Sequence, residues 1–102
     1  MMDAYTVILS PDPESGGFAA IVPAMPGALT QGGDLAEALH NAAEVMSLWL
    51  EVATERGQAP LAESPKLIAD EVASVLEDRD EAGWDHEILL RMVVPEAETV
   101  AA

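Results

Sequence analysis

Two histidines, His40 and His86, are the groups in this sequence best suited to acid-base catalysis near neutral pH. A catalytic histidine needs a serine or carboxylate partner at a spacing typical of an activated nucleophile, and neither His40 nor His86 has such a neighbour. We therefore interpret both as exposed residues, one on a helix and one at the end of a strand. The sequence contains no cysteine, which excludes disulfide bonds, thiolate metal sites and cysteine nucleophiles.

A metal-dependent nuclease would instead need several carboxylates projecting from strand ends to hold two divalent ions. The first three predicted strands, over residues 5–10, 18–22 and 28–31, contain no acidic residue, and Glu87 is the only one in the fourth, over 86–94. We therefore predict no catalytic residue, no metal site and no cofactor. An enzymatic function would require a pocket of clustered carboxylates with strongly shifted pKa values.

The elements that must position these residues follow from the hydrophobic pattern. Apolar residues alternate in the strands and recur at helical spacing over two segments, 35–56 and 65–83. Asp34 with Glu37 is a capping-box-like helix start, and Ser64 before Pro65 is a second start signal. The order β-β-β-α-α-β predicts an α+β two-layer sandwich, in which a three-stranded antiparallel meander and a C-terminal strand carry both helices on one face.

We expect one domain over residues 1–95, because 102 residues leave no room for a second core. Its parts are a core motif over 5–56 and a helix-strand extension over 64–94, and residues 96–102 are expected to form a frayed tail. The N-terminal residues lack the basic segment and apolar run of a secretory signal, and no stretch reaches membrane-spanning length. These features predict a soluble, cytoplasmic protein.

The strongest compositional feature is the net charge of −15, from nineteen acidic residues against Arg56, Lys66, Arg79 and Arg91. Nucleic acid is a poor partner for such a surface, because phosphate binding depends on Lys and Arg displacing counterions. A basic protein would instead be attracted to it. The alternative is that the acidity only keeps the protein in solution.

A combined motif pattern runs from Tyr5 to Leu50. Its parts are Gly16-Gly17-Phe18, then Val22-Pro23 with Pro26-Gly27, and then Glu37-Ala38 with Asn41-Ala42. This pattern resembles the HicB-like antitoxin family. The resemblance implies a β-β-β-α-β unit, described as a partial ribonuclease-H-like fold, that forms oligomers. It also implies that the protein neutralises a small basic toxin of HicA type, an mRNA-cleaving ribonuclease.

Longer members of that family carry a C-terminal ribbon-helix-helix or helix-turn-helix module that binds operator DNA. Residues 64–102 of this chain hold ten acids against three basic residues and are predicted to form one helix and one strand. A DNA-reading module needs a basic face. The chain therefore resembles a short form without such a module, and we expect no direct binding to nucleic acid and no membrane partner.

Candidate partner-facing residues follow from the charge and from the resemblance. The toxin-facing candidates are Asp12, Glu14, Glu37, Glu44 and Glu51. The last three recur every seven residues on one helix face, and the alternative is a solvated acidic face. The residues expected to shape loops are Gly16, Gly17, Pro23, Pro26 and Gly27.

A half-covered sheet with an exposed edge strand favours a homo-oligomer, either a dimer or a tetramer. The interface candidates are Trp84, Ile88, Leu90 and Met92. Trp84 has the alternative of capping the core, and Trp49 continues the apolar stripe of the first helix, so we interpret Trp49 as a core residue. Two functions remain open: an antitoxin that occludes a HicA-type toxin, and a stand-alone homo-oligomeric structural or regulatory module without a toxin.

Overall fold

The computed structural model describes residues 3–96 and has the α+β class and the element order that the hydrophobic pattern predicts. The elements are β1 (Tyr5–Pro11), β2 (Phe18–Ile21), β3 (Leu29–Gly32), α1 (Leu35–Glu55), α2 (Pro65–Ala82) and β4 (Leu89–Val93). The strand order in the sheet is β3-β2-β1-β4, and every neighbouring pair is antiparallel. Apart from Glu96, the expected tail over 96–102 lies outside the described residues.

The main core lies between α1 and one face of the sheet. Val7 and Leu9 of β1 point to this face, and Leu9 pairs across the strands with Ala20. Helix α1 contributes small residues, which let it approach the sheet closely, together with Met46. The buried α1 residues are Ala38, Ala42, Met46 and Ala53.

Helix α2 lies on the opposite face of the sheet, which makes three layers where the hydrophobic pattern predicted two. Strand side chains alternate, so Ser10 and Ile8 point away from the α1 core. Arg79 of α2 donates to the Ser10 hydroxyl at 2.8 Å, and Ile8 is fully buried although it is not part of the α1 core. Both faces of the sheet are therefore covered at β1.

The linker between the helices explains this placement. Leu61 donates its backbone N–H to the carbonyl of Ala24 at 2.8 Å, and the Glu63 carboxylate accepts from the backbone N–H of Thr6 at 2.6 Å. The carbonyl of Ala24 and the N–H of Thr6 both lie at the end of the sheet where β1 begins and β2 ends. The linker thus passes from the α1 side to the other side around that end.

Local signals set the helix ends as the sequence predicts. Asp34 accepts the N–H of Glu37 at 2.8 Å, while Glu37 reaches back to the N–H of Gly33 at 2.6 Å. Ser64 caps α2 by accepting the N–H of Leu67 at 3.1 Å, and α2 ends at Ala82 and is capped by Gly83, whose φ is +77°. None of the helices within residues 3–96 is both long and apolar enough to cross a membrane.

Strand β4 begins at Leu89, three residues later than the hydrophobic pattern predicts. The backbone N–H of Glu87 donates to the side chain of Asp85 at 3.0 Å. His86 meanwhile contacts the carboxylate of Asp80 at the end of α2. These side-chain contacts hold the segment in an irregular conformation, and β4 pairs with β1 only from Leu89, opposite Leu9.

Candidate functional site

The β1–β2 turn is shaped by Asp12. Its Oδ1 accepts the backbone N–H groups of Glu14 at 2.8 Å and Ser15 at 3.2 Å. These hydrogen bonds, the one from Glu14 first, lower the pKa of Asp12. Gly16 has a φ of +80° and donates to the Asp12 carbonyl at 2.8 Å. Asp12 therefore has a structural role in the turn, and Glu14 lies exposed at its tip.

The other loop-shaping candidates also lie at tight points of the backbone. A Cβ on Gly17 would come within 2.5 Å of the carbonyl oxygen of Gly32 on β3. In the β2–β3 loop Pro23 is buried, and Gly27 has a φ of +89°. Pro26 is exposed, but its carbonyl accepts the indole N–H of a tryptophan on α1, described next.

Trp49 joins α1 to the β2–β3 loop. Its Nε1 donates to the carbonyl of Pro26 at 2.9 Å, and its ring packs, partly buried, against the α1 core. The core interpretation of this residue agrees with the packing. One edge of the ring also lines an exposed apolar groove.

The acidic row of α1, defined as Glu37, Glu44 and Glu51, is exposed along one side of the helix. Glu37 is partly used in the helix cap. Glu44 lies near His40 and Glu96, and potential metal-ligating atoms of these three side chains fall within 4.8 Å of one another. Imidazole and carboxylates could hold a divalent ion, but all three side chains are exposed, and we assign no role to the group.

Four of the predicted residues meet at one polar groove of about 760 Å³ near the β1–β2 turn. They are Asp12, Gly17, Glu37 and Trp84. The hydroxyls of Ser10 and Ser15 also line this groove, but Ser10 accepts from Arg79 and Ser15 accepts the N–H of Gly17. The residues that line this groove include no histidine that could activate a hydroxyl.

The hydrophobic pattern did not identify Arg79, although this residue organises the α2 side of the fold. Its side chain is 3% exposed and donates to the carbonyl of Pro11 and, at 2.6 Å, to the carbonyl of Asp85. The guanidinium also lies 5.3 Å from the ring centroid of Trp84. A signal existed, because Arg79 follows Val75 by four residues on the apolar stripe of α2.

The Arg79 contact gives Trp84 a partner within its own chain. Next to Trp84, the carboxylate of Asp85 accepts hydrogen bonds from the backbone N–H of Glu87 and from the guanidinium of Arg79, each at 3.0 Å. These contacts, the one from Glu87 first, lower the pKa of Asp85. The junction between α2 and β4 is thus held by one compact polar cluster.

The remaining interface candidates lie on or next to the edge strand β4. Leu90 is 45% exposed and Met92 is 62% exposed, and they pair with Ile8 and Thr6 of β1. Ile88 is half-buried just before the strand. β4 therefore presents apolar side chains on the α2 side and a strand edge that pairs with nothing else in the sheet of residues 3–96.

Comparison with known proteins adds a family match to this geometry. The model of the family described as HicB_like antitoxin of bacterial toxin-antitoxin system matches residues 5–89, from the start of β1 to the first residue of β4. UPF0150 protein ssl0259 of Synechocystis sp. (strain ATCC 27184 / PCC 6803 / Kazusa) is 43% identical over 54 residues. That alignment covers 53% of this chain and 73% of the Synechocystis protein.

Proposed function

The chain belongs to the HicB-like antitoxin family of bacterial toxin-antitoxin systems, and on this premise we propose that it binds and occludes a small basic, mRNA-cleaving toxin of HicA type. The observation that carries the proposal is the family match over residues 5–89. The net charge of −15 supports it, because a basic partner is steered towards an acidic surface. The protein acts by binding, without a catalytic step of its own.

Occlusion follows from the chemistry of the two surfaces. A ribonuclease that grips RNA must present Lys and Arg side chains to the phosphates. Exposed carboxylates of this chain, including Glu14, Glu44 and Glu51, can pair with those cations and exclude RNA from them. Asp12 and Glu37 are already engaged in local hydrogen bonds, so their contribution to binding is smaller. An mRNA-cleaving partner also implies a cytoplasmic location.

The test mixes the purified protein with a purified HicA-type toxin and follows RNA cleavage. Excess protein stops cleavage if the proposal holds, and unchanged cleavage contradicts it. The charge contribution is measured with Glu44→Gln plus Glu51→Gln. The matched control is Glu77→Gln plus Glu81→Gln, which removes the same charge from the exposed surface of α2. Inhibition of RNA cleavage should weaken in the α1 double variant and remain near the wild-type level in the α2 double variant.

The exposed edge of β4 favours a second candidate function, a stand-alone homo-oligomeric regulatory module. If β4 paired with β4 of a second copy, the open strand edge would be satisfied and Leu90 and Met92 would lie beside side chains of the partner strand, giving a dimer or a tetramer. Light scattering on the purified chain tests the assembly, and a monomer at high concentration contradicts it. Both functions can share this oligomer, and they are separated by whether a basic toxin binds.

A further inference from the structure

Three exposed large apolar side chains meet at the C-terminal half of α1 and the linker that follows it. Leu48 is 58% exposed, and Val52 and Leu61 are each 48% exposed. All three line one groove of about 780 Å³, which is completed by Val45, Trp49 and the β2–β3 loop. We call it the α1 groove.

The side chains at the exposed edge of this groove are not needed for the protein's own core. Helix α1 turns Ala38, Ala42 and Met46 towards the sheet. Leu48 and Val52 lie on a neighbouring stripe of the helix and remain about half exposed or more. An apolar stripe of this kind beside a groove is typical of a surface that receives another element.

The spacing of the stripe indicates the shape of its occupant. Val45, Leu48 and Val52 are separated by three and four residues, the spacing with which one helix packs against another. Glu44 and Glu51 directly precede the two valines, so they flank the apolar stripe as charged residues flank a helix-helix seam. The complementary surface is a helix with one apolar face and Lys or Arg beside it.

Charge excludes a second copy of this chain as the preferred occupant. Antiparallel packing of two α1 helices through this groove would place the acidic rows of both copies together, where their like charges repel. Arg56 lines the groove where α1 ends. Glu44 and Glu51 therefore lie beside the middle of the apolar stripe, and the end of the stripe lies beside a basic residue.

We propose that the α1 groove binds an amphipathic helix of a basic protein partner, whose apolar face packs on Leu48, Val52 and Leu61 while its cations pair with Glu44 and Glu51. The identification of that partner with the toxin rests on the proposed function. The apolar contact provides the affinity at the centre of the interface, and the flanking carboxylates provide orientation and rate of association.

The test uses one substitution at two sites. Leu48→Gln removes the apolar contact from the groove and keeps a good helix former in an exposed position. Leu29→Gln on β3 is the matched control, since Leu29 is 63% exposed and does not line the α1 groove. Binding of the full-length variants to the HicA-type toxin is measured by titration calorimetry. Leu48→Gln should weaken binding at least about tenfold, and Leu29→Gln should bind like the wild type.

A second probe separates this inference from the proposed function. It consists of two synthetic amphipathic peptides of about 18 residues. The lysine peptide has leucines on one face and lysines beside them, and its twin, the control peptide, has glutamates in place of the lysines. The lysine peptide should bind the wild type and the Leu29→Gln variant, lose affinity at least about tenfold with Leu48→Gln, and bind better than its twin.

Each outcome is decisive. If Leu48→Gln does not change toxin binding, the inference that the α1 groove binds the partner is wrong, and the proposed function remains intact. Absence of toxin binding overturns the proposed function, and the peptides then decide the groove alone. Equal binding of both peptides, or equal binding of the lysine peptide to the wild type and Leu48→Gln, overturns the inference.

Discussion

Arg79 donates to the hydroxyl of Ser10 over 2.8 Å, and this hydrogen bond connects α2 to β1, one of the two inner strands of the sheet. The Arg79 side chain is 3% exposed, and its remaining contacts are the carbonyl of Pro11, the backbone and carboxylate of Asp85, and the ring of Trp84. A buried guanidinium is stable only when its donors are satisfied, and here the partners come from two segments, β1 and the junction between α2 and β4. Arg79 is thus the residue on which the position of α2 depends.

Replacing Arg79 with alanine should lower the free energy of unfolding by about 3 kcal/mol, because it leaves buried acceptors without a donor and removes the contact with Trp84. Arg79→Lys should cost less, since it keeps the charge but loses the planar fork of donors. Urea denaturation followed by circular dichroism measures both. Arg91→Ala, at an exposed position on β4, is the control and should have little effect. If Arg79→Ala lowered the free energy of unfolding no more than the Arg91→Ala control, the role of Arg79 in holding α2 would be contradicted.

The order of the elements could be predicted because its signals are local. Residues such as Asp34 and Ser64 cap helices through neighbours three positions away, and strand alternation needs only a few residues. The face on which α2 packs could not be predicted in this way. An apolar stripe shows that a helix is buried, whereas the choice of face depends on long-range contacts, such as Thr6 with Glu63 and Ser10 with Arg79.

The candidate surfaces were predictable to different degrees for the same reason. Helix periodicity is sufficient to place Glu44 and Glu51 on one exposed side of α1. It does not reveal that Leu61 of the linker folds back to the β2–β3 loop, where its N–H meets the carbonyl of Ala24. The apolar groove beside the acidic row therefore depends on a tertiary contact that no local pattern encodes.

Asp85 should make stability depend on pH in the acid range. Its pKa is lowered below the ordinary value of 3.8, first by the hydrogen bond from the N–H of Glu87 and then by Arg79. A lowered folded-state pKa means that the unfolded chain binds the proton more readily, so the contribution is fully present above the ordinary value and is lost as the pH falls below it. The free energy of unfolding of Asp85→Asn should therefore fall less steeply than that of the wild type between about pH 5 and pH 2.

The control for this comparison is Glu81→Gln, which removes one exposed carboxylate from α2. Subtracting its pH profile corrects for the general relief of repulsion when a strongly acidic protein is protonated. If the free energy of unfolding of Asp85→Asn and of Glu81→Gln fell equally steeply with pH, the polar cluster around Asp85 would not be the cause of the acid dependence.

Glu63 should stabilise the start of β1 through Thr6. Its two carboxylate oxygens accept the backbone N–H of Thr6 at 2.6 Å and the hydroxyl of Thr6 at 2.9 Å, and Thr6 is 8% exposed. Glu63→Ala leaves two nearly buried donors without this acceptor and should cost about 1–3 kcal/mol. Glu63→Gln keeps one acceptor oxygen and should cost less. Hydrogen exchange at the amide of Thr6 should accelerate in Glu63→Ala, and an unchanged rate would contradict the assignment.

Gly32 should be required for the contact between β3 and α1. A Cβ at this position would lie 2.3 Å from the backbone nitrogen of Ala38, and neither the strand nor the helix backbone can give way without moving the other. Gly33 offers a matched control, because its Cβ would meet only the end of the Glu37 side chain at 3.4 Å. Gly32→Ala should therefore lower the free energy of unfolding by about 1–3 kcal/mol, whereas Gly33→Ala should be nearly neutral.

Because α1 carries both the acidic row and the α1 groove, the displacement caused by Gly32→Ala should also weaken binding of a basic partner. Urea denaturation gives the stability of the two alanine variants, and calorimetry with the proposed partner, a HicA-type toxin, gives the affinity under conditions where both variants are folded. A loss of affinity in Gly32→Ala that exceeds that in Gly33→Ala links the placement of α1 to recognition. Equal affinities would mean that partner binding does not depend on how closely α1 is held against β3.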